Sequence, residues 1–286
     1  MSVAAERLPV RGPGPGTLTR VVRVARRQVL TVYSLLAFAY LLVPIAIVIL
    51  FSFNHPAGRF NYTWQGFTLN NWKNWDGVPG MRSAIELSLE IAALSSICAT
   101  ALGTLIALAL VRYGFRGRGA TNLLIFLPMS SPEIVLGASL LTLFLSMTSI
   151  FPLGFGTIFI AHVMFCISYV VVTVKARLIG FDRHLEEAAM DLGANEFVTF
   201  AKVTLPLIAP AILAGLLLSF ALSIDDFVIT NFVAGSKVTF PLFVWGAARV
   251  GAPPQVNVIG TAIFVVAVVA MLGNVLIQMR RSKGAN

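Results

Sequence analysis

Charge is what this chain has least of. Only 12% of its 286 residues are Asp, Glu, Lys or Arg, about half the share usual in soluble domains. With 57% apolar residues and a mean hydropathy of +0.86, an ordinary soluble globule is excluded. Cysteine is scarce too. Cys98 and Cys166 each lie inside an apolar run, which fits buried small hydrophobes better than a disulfide framework or a zinc site. The three histidines, His55, His162 and His184, have no metal-ligand spacing, so no metal site and no chemistry is assigned to them. A phosphate-binding loop is also missing. Gly114, Gly117 and Gly119 stand in a glycine-rich string that lacks both the spacing and the Lys of a G-x-x-x-x-G-K-[ST] motif. ATP-driven work would therefore need a second polypeptide. No internal repeat is evident, so an inverted-repeat secondary transporter gains no support.

What the chain does have is apolar runs long enough to span a hydrocarbon core, which takes roughly 20 helical residues. Six are expected, at about 31–53, 83–111, 121–147, 157–174, 207–232 and 256–279. The expected organisation is a basic flexible tail at 1–28, a helical membrane domain at 29–280 and a short tail at 281–286. The first run is longer than a signal-peptide core and no A-x-A-like site follows it, so it reads as a retained span. The net charge of +9 would point a soluble protein toward nucleic acid. Here the basic residues gather at span ends, and topology accounts for them without a nucleic-acid partner. Sixteen Lys and Arg fall on the side of the two tails and the second and fourth connections, against five on the other. That excess places both termini in the cytoplasm.

One stretch between the fourth and fifth spans, 182–206, is too polar to cross a bilayer and too patterned to be a passive link. Leu185, Ala188, Ala189 and Leu192 repeat at i, i+3, i+4 and i+7, an apolar stripe on one helical face. Asp182 can cap that helix and Gly193 can end it. Asn195 offers a second N-cap, Phe197, Phe200 and Ala201 a second stripe, and Pro206 a stop before the next span. Glu186, Glu187 and Asp191 are expected to stay in water. Helices that lie on lipid usually carry Lys and Arg on the polar face, so this acidic loop is read as a docking element for another protein.

Ionisable groups within spans are costly, roughly 2.5–3.5 kcal/mol each, and usually face a bundle interior or water. Five occur here, Glu86, Glu90, Glu133, Asp225 and Asp226, and all are acidic. A route lined by carboxylates without deep Lys or Arg favours cations and repels anions. Glu133 follows Pro128 and Pro132, which can bend the third span. Its alternative role is a protonated carboxyl bonded to a neighbour. Asp225 and Asp226 follow Ser223. Adjacent helical residues point about 100° apart, so one of the pair can face a pathway while the other caps a break or binds a neighbouring helix. Glu86 and Glu90 share a face near the span's outer end and can simply reach the wet interface. Trp64 can offer a ring face to an ammonium group. An interfacial anchor is its alternative, and the reading adopted for Trp72 and Trp75.

Glu187-Ala188-Ala189, then Gly193, then Val203-Thr204-Leu205-Pro206 resemble the EAA signature of ABC-importer permeases, with Val203 where that family often has Ile. Further strings around Trp64-Gln65-Gly66, Met129 to Val135 and Leu222 to Val228, and Val256-Asn257, are similar to the second permease subunit of spermidine/putrescine importers. The resemblance covers about residues 30–280. It implies an all-α, multi-pass protein of the bacterial cytoplasmic membrane with the type I importer permease fold. The loop would be a coupling helix seated in a cytoplasmic ATPase, with Glu187, Ala188, Ala189, Gly193, Glu196 and Pro206 as its coupling residues. It implies that residues matching Trp64, Glu133, Glu196, Ser223, Asp225 and Asp226 serve polyamine uptake. Glu133 replaces an Asp of some relatives, keeping the charge on a longer arm. The implied partners are a related permease forming a heterodimer, two ATPase copies holding ATP and Mg, an extracytoplasmic polyamine-binding protein and membrane lipid, with no cofactor in this chain. Other readings are an importer permease for a different organic cation, an autonomous cation carrier or channel, and an intramembrane aspartyl protease. The last lacks its G-x-G-D type string.

Overall fold

The computed structural model describes residues 17–58 and 60–283, with side chains from 28 to 269 (Arg59 apart) and at 272 and 273. Expectations placed on 1–16, on Arg59 and on 284–286 fall outside the described residues. Twelve helices follow in order: α1 (Thr17–Ser52), α2 (Asn70–Lys73), α3 (Met81–Arg112), α4 (Arg118–Ser130), α5 (Glu133–Ser146), α6 (Phe155–Ile179), α7 (His184–Asp191), α8 (Glu196–Thr199), α9 (Leu205–Asp225), α10 (Val228–Val233), α11 (Phe240–Val250) and α12 (Pro254–Lys283). A π-helical turn, Phe200–Thr204, joins α8 to α9. Among the described residues there is no strand, only an isolated antiparallel bridge between Asn54 and Phe67.

Among the described residues, four helical stretches are long and apolar enough to cross a membrane: Gln28–Ser52, Met81–Arg112, Phe155–Ile179 and Glu196–Asp225. A fifth results if α4 and α5 count as one broken span. The expected sixth span falls on α12, whose described apolar part is Pro254–Val269. Three boundaries differ from expectation. Helix α1 is already helical from Thr17, inside the stretch expected as a tail. The third span is a corner, with α4 and α5 meeting at 108°. Pro132 starts α5 there, and a proline disfavours helical backbone in the residue before it; Ser131 is accordingly extended, with ψ of 138°. The fifth span ends at Asp225 instead of running on to 232, because Asp226 turns extended and its side chain begins α10.

The chain divides into two compact units. The first comprises the residues up to Trp75 together with those from Pro254 onward. In it α1 packs along α12, and 54–75 is tied around three buried asparagines. Asn54 donates to Asn61 and to the Thr63 carbonyl and accepts from the Gln65 N–H; Asn71 donates to the Ser52 and Asn54 carbonyls. The second unit, Asp76–Pro253, is built on α3, α6 and α9, which pack on one another. Its seam follows the membrane rule that small residues let helices approach closely. Ser88, Ala92, Ser95, Ala99, Gly103 and Ala107 form the buried face of α3, opposite Ala161, Phe165, Cys166, Val170 and Val174 of α6. Both cysteines are free, and Cys166 lies against the Ser219 carbonyl.

Within this seam the tight point is Gly103. A Cβ added there would sit 2.7 Å from Cβ of Val170, and 3.3 Å from the Ile167 carbonyl oxygen. Val170 is fully buried and stiff at χ1, so it cannot swing aside. Gly103→Ala is therefore expected to lower the stability of the purified protein by about 1–3 kcal/mol, read as a fall in thermal midpoint in detergent. Gly119→Ala, where nothing lies within 4 Å, serves as the unaffected control.

Candidate functional site

Two sites occur in the second unit. The first is the break between α9 and α10. Ser223 is the buried residue on the last turn of α9, followed by Asp225, which is exposed, and Asp226, which is buried. Asp226 is fully engaged. Its Oδ1 accepts from the Ile229 N–H at 3.3 Å, and its Oδ2 from the Thr230 N–H at 2.8 Å and the Thr230 hydroxyl at 2.7 Å. It thereby satisfies the free amides at the start of α10 as an N-capping carboxylate does. Nε2 of His162, on α6, lies 3.3 Å from the same Oδ2. Of the two aspartates, the structure buries and bonds Asp226 and leaves Asp225 open.

Glu133 opens α5 at the α4–α5 corner and is also exposed. Helix α5 packs against α10, with Gly137 beneath the Phe232 ring, which brings the two breaks together. Glu133 and Asp225 are close enough to act on each other electrostatically. Tyr169, edge-on to Phe165 at 5.2 Å, lies in the field of Glu133. Among the described residues neither Glu133 nor Asp225 has an ion pair. Glu86 and Glu90 are exposed on α3, Glu86 bonded to Arg82 at 2.9 Å. Trp64 belongs to the first unit, where it is 45% exposed and edge-on to Phe51, whereas Trp72 is stacked on Phe53 and donates to Ser52. Among the described residues no cluster of His, Cys, Asp and Glu could hold a metal ion.

The second site is the polar loop. Asp182 accepts from the His184 N–H and so starts α7. Gly193, at φ +91°, ends it: its N–H bonds the Met190 carbonyl and the Ala194 N–H reaches back to Ala189, the Schellman pattern that needs a left-handed residue. The Asn195 side chain then caps α8 through the Val198 N–H. Leu185, Ala188, Leu192 and Phe197 are all exposed, Leu192 by 90%, so the apolar stripe faces away from the chain's own core. Glu187 and Glu196 are exposed as well, and Glu187 bonds His184. An open groove of about 600 Å³ lies beneath, lined by Arg112, Arg183, Glu186, Glu187, Glu196 and Phe200 among others.

Two expectations about the loop are corrected. Pro206 does not stop the motif, because helix continues from Glu196 to Asp225. The intervening π-turn, in which the Leu205 N–H bonds the Phe200 carbonyl, makes the local slack that a proline ring and its missing N–H require. Glu186 does not stay in water. It is 7% exposed, and its Oε1 accepts from both the Arg112 guanidinium at the end of α3 and the Thr204 hydroxyl in the π-turn.

The profile of one transport family, described as "Binding-protein-dependent transport system inner membrane component", matches residues 99–280. The chain belongs to this family. Several of the family's proteins are similar over nearly their whole length. The spermidine/putrescine transport system permease protein PotC of Escherichia coli K12 is 42% identical over 248 residues, covering 86% of this chain and 92% of PotC. PotC of Haemophilus influenzae is 38% identical over 251 residues, covering 87% and 96%. The putrescine transport system permease protein PotI of E. coli K12 is 40% identical over 238 residues, covering 81% and 84%. Among solved structures, a chain of a bacterial ABC transporter that imports the acidic polysaccharide alginate superposes with a TM-score of 0.63 at 18% identity, covering 93% of this chain and 99% of that one. A chain of an amino acid ABC transporter gives 0.54 at 15% identity, covering 76% and 99%. At these identities the two structures speak for the fold alone.

In this inner-membrane component, sequence reasoning missed three residues that organise the sites. His162 had no motif around it, and its partners are 61 and 68 residues away. Glu186 looked like one more acid in an acidic loop. Arg112 looked like a span-end charge.

Burial alone would push the Glu186 carboxyl up. The bonds from Arg112 and Thr204, with the charges of Arg112 and Arg183, outweigh it, so the group is held below the ordinary carboxylate range. A depressed folded-state value means that the anchor's contribution is complete above the unfolded value of about 4.3 and is lost as pH falls through the folded one. Glu186→Gln is expected to cost about 1.5–3 kcal/mol of local stability, seen as faster hydrogen exchange across 184–195 at neutral pH. The wild type loses protection only in acid, and the variant has little left to lose.

Proposed function

We propose that this chain is one of two permease subunits of an ATP-driven importer that carries polyamines, extended chains of ammonium groups and methylenes, across a bacterial cytoplasmic membrane. On this reading it is a transport subunit and not an enzyme, with six spans in the type I importer arrangement and both termini inside. A related permease completes the pore, two ATPase copies bearing ATP and Mg grip the 182–206 loop, and an extracytoplasmic binding protein delivers cargo. The observation that carries the reading is the open pair Glu133 and Asp225, in a chain alike along most of its length to permeases named for spermidine and putrescine. Carboxylates left without fixed cations are free to exchange hydration for an ammonium group. Trp64, in the first unit, is a separate proposed contact, its ring face open to an ammonium group. Ser223 and Asp226 serve the cargo indirectly, because their side chains are spent on the helix break.

The loop supplies the drive. Glu187, Ala188, Ala189, Gly193 and Glu196 make up the surface gripped by the ATPase. Force passes through the helical run that contains Pro206 to the far end of α9, where Asp225 sits. The chain then alternates between two states biased by nucleotide and by the loaded binding protein.

In proteoliposomes holding the whole transporter, Asp225→Asn and Glu133→Gln are each expected to lower spermidine uptake about tenfold, the worth of one charge-assisted contact, with assembly unchanged by co-purification. Uptake equal to wild type in both variants contradicts the carboxylate route. Cation flux or peptide cleavage by the purified chain alone would favour a self-contained carrier or a protease instead.

A further inference from the structure

His162 sits in α6 with 2% of its surface exposed, and both ring nitrogens are spoken for. Nδ1 lies 2.7 Å from the Ser223 hydroxyl, on the last turn of α9. Nε2 lies 2.9 Å from the Thr230 hydroxyl and 3.3 Å from Asp226 Oδ2, both at the start of α10. The Ser223 hydroxyl also meets the Ser95 hydroxyl of α3 at 3.0 Å. One imidazole thus spans the break between α9 and α10 and ties it to α6 and, through Ser223, to α3.

Proton accounting gives the ring a direction. Asp226, as a carboxylate, only accepts, and it already takes two backbone N–H groups. The single Thr230 O–H donates to Asp226 Oδ2 at 2.7 Å, so it has nothing left to donate to the ring. Nε2 therefore carries a proton and donates toward Thr230 and Asp226. Nδ1 meets a hydroxyl that can serve as donor or acceptor. The Nε2 side binds the α10 end of the break and the Nδ1 side binds the α9 end.

Asp225 is the exposed residue held between these two anchors, one position before Asp226 and two after Ser223. Because neither flanking side chain can shift without breaking a buried bond, the backbone that presents Asp225 is fixed from both sides. We propose that His162 is a positioning residue for cargo. Through the Nε2 bond it holds the α9–α10 break so that the Asp225 carboxylate is presented to a cationic substrate, which the ring itself never touches. The inference rests on the carboxylate route proposed above.

The test compares His162→Gln with His162→Asn in the complete reconstituted transporter. The terminal amide of Gln reaches the place of Nε2, and that of Asn the place of Nδ1. His162→Gln is expected to keep KM for spermidine near wild type, because Ser223 keeps its bond to Ser95 when Nδ1 is lost. His162→Asn is expected to raise it about five- to tenfold while assembly and basal ATP hydrolysis stay unchanged. In an Asp225→Asn background the two variants are expected to become indistinguishable, since nothing is left to position. Equal KM for Gln and Asn in the wild-type background overturns the inference, as does a difference that persists with Asp225→Asn. Failure of both variants to assemble also overturns it, making His162 a folding residue. An Asp225→Asn transporter that behaves as wild type sinks the carboxylate route instead.

Discussion

A carboxylate surrounded by apolar helices must find partners or give up its charge. In this protein two adjacent aspartates meet that constraint in opposite ways. Asp226 is buried and receives two amides, a hydroxyl and the edge of an imidazole. Asp225, next to it, is exposed. The rest of the site depends on this division. Committing Asp226 to α10 ends α9 at Asp225, which turns a span into a helix, a corner and a short second helix. The corner faces another corner at Pro132, because α5 packs on α10, and the two open acids come into each other's field.

The same economy governs the polar loop. Glu186 is the one acid of the loop that is buried, and it fastens α7 to the end of α3 and to the π-turn before α9 through a single oxygen. Its neighbours are left outside: Glu187, Glu196 and the apolar stripe of Leu185, Ala188 and Leu192. An element fastened on one side and bare on the other is suited to act as a lever, since a push on the bare face moves the helices behind it. The π-turn keeps helix continuous past Pro206, so α8 and α9 form one helical run from Glu196 to Asp225.

Local chemistry is legible in the sequence and distant pairing is not. Asp182, Gly193 and Asn195 announce start, stop and restart because capping is decided within four residues. Pro128 and Pro132 foretell a bend for the same reason, although not its angle. Pro206 misleads because the rule against proline in a helix assumes an unbroken α ladder, and the π-turn relieves it. Glu186 reads as a solvated acid because its partners are 74 and 18 residues away. His162 looks idle because it lies in an apolar run and its partners come from two other helices. That one of Asp225 and Asp226 is structural is visible from helical geometry; which one depends on His162 and Thr230.

On the proposed route the exposed aspartate, not its buried neighbour, meets the cargo. A cryo-electron microscopy structure of the assembled transporter, trapped with spermidine in the membrane pathway, tests this most directly. The expected result is an ammonium group within hydrogen-bond distance of Asp225, with Glu133 near a second one and Asp226 still bonded to Thr230 and His162. Cargo bonded to Asp226 in place of Thr230 and His162, or cargo passing with neither Asp225 nor Glu133 near it, would contradict the route.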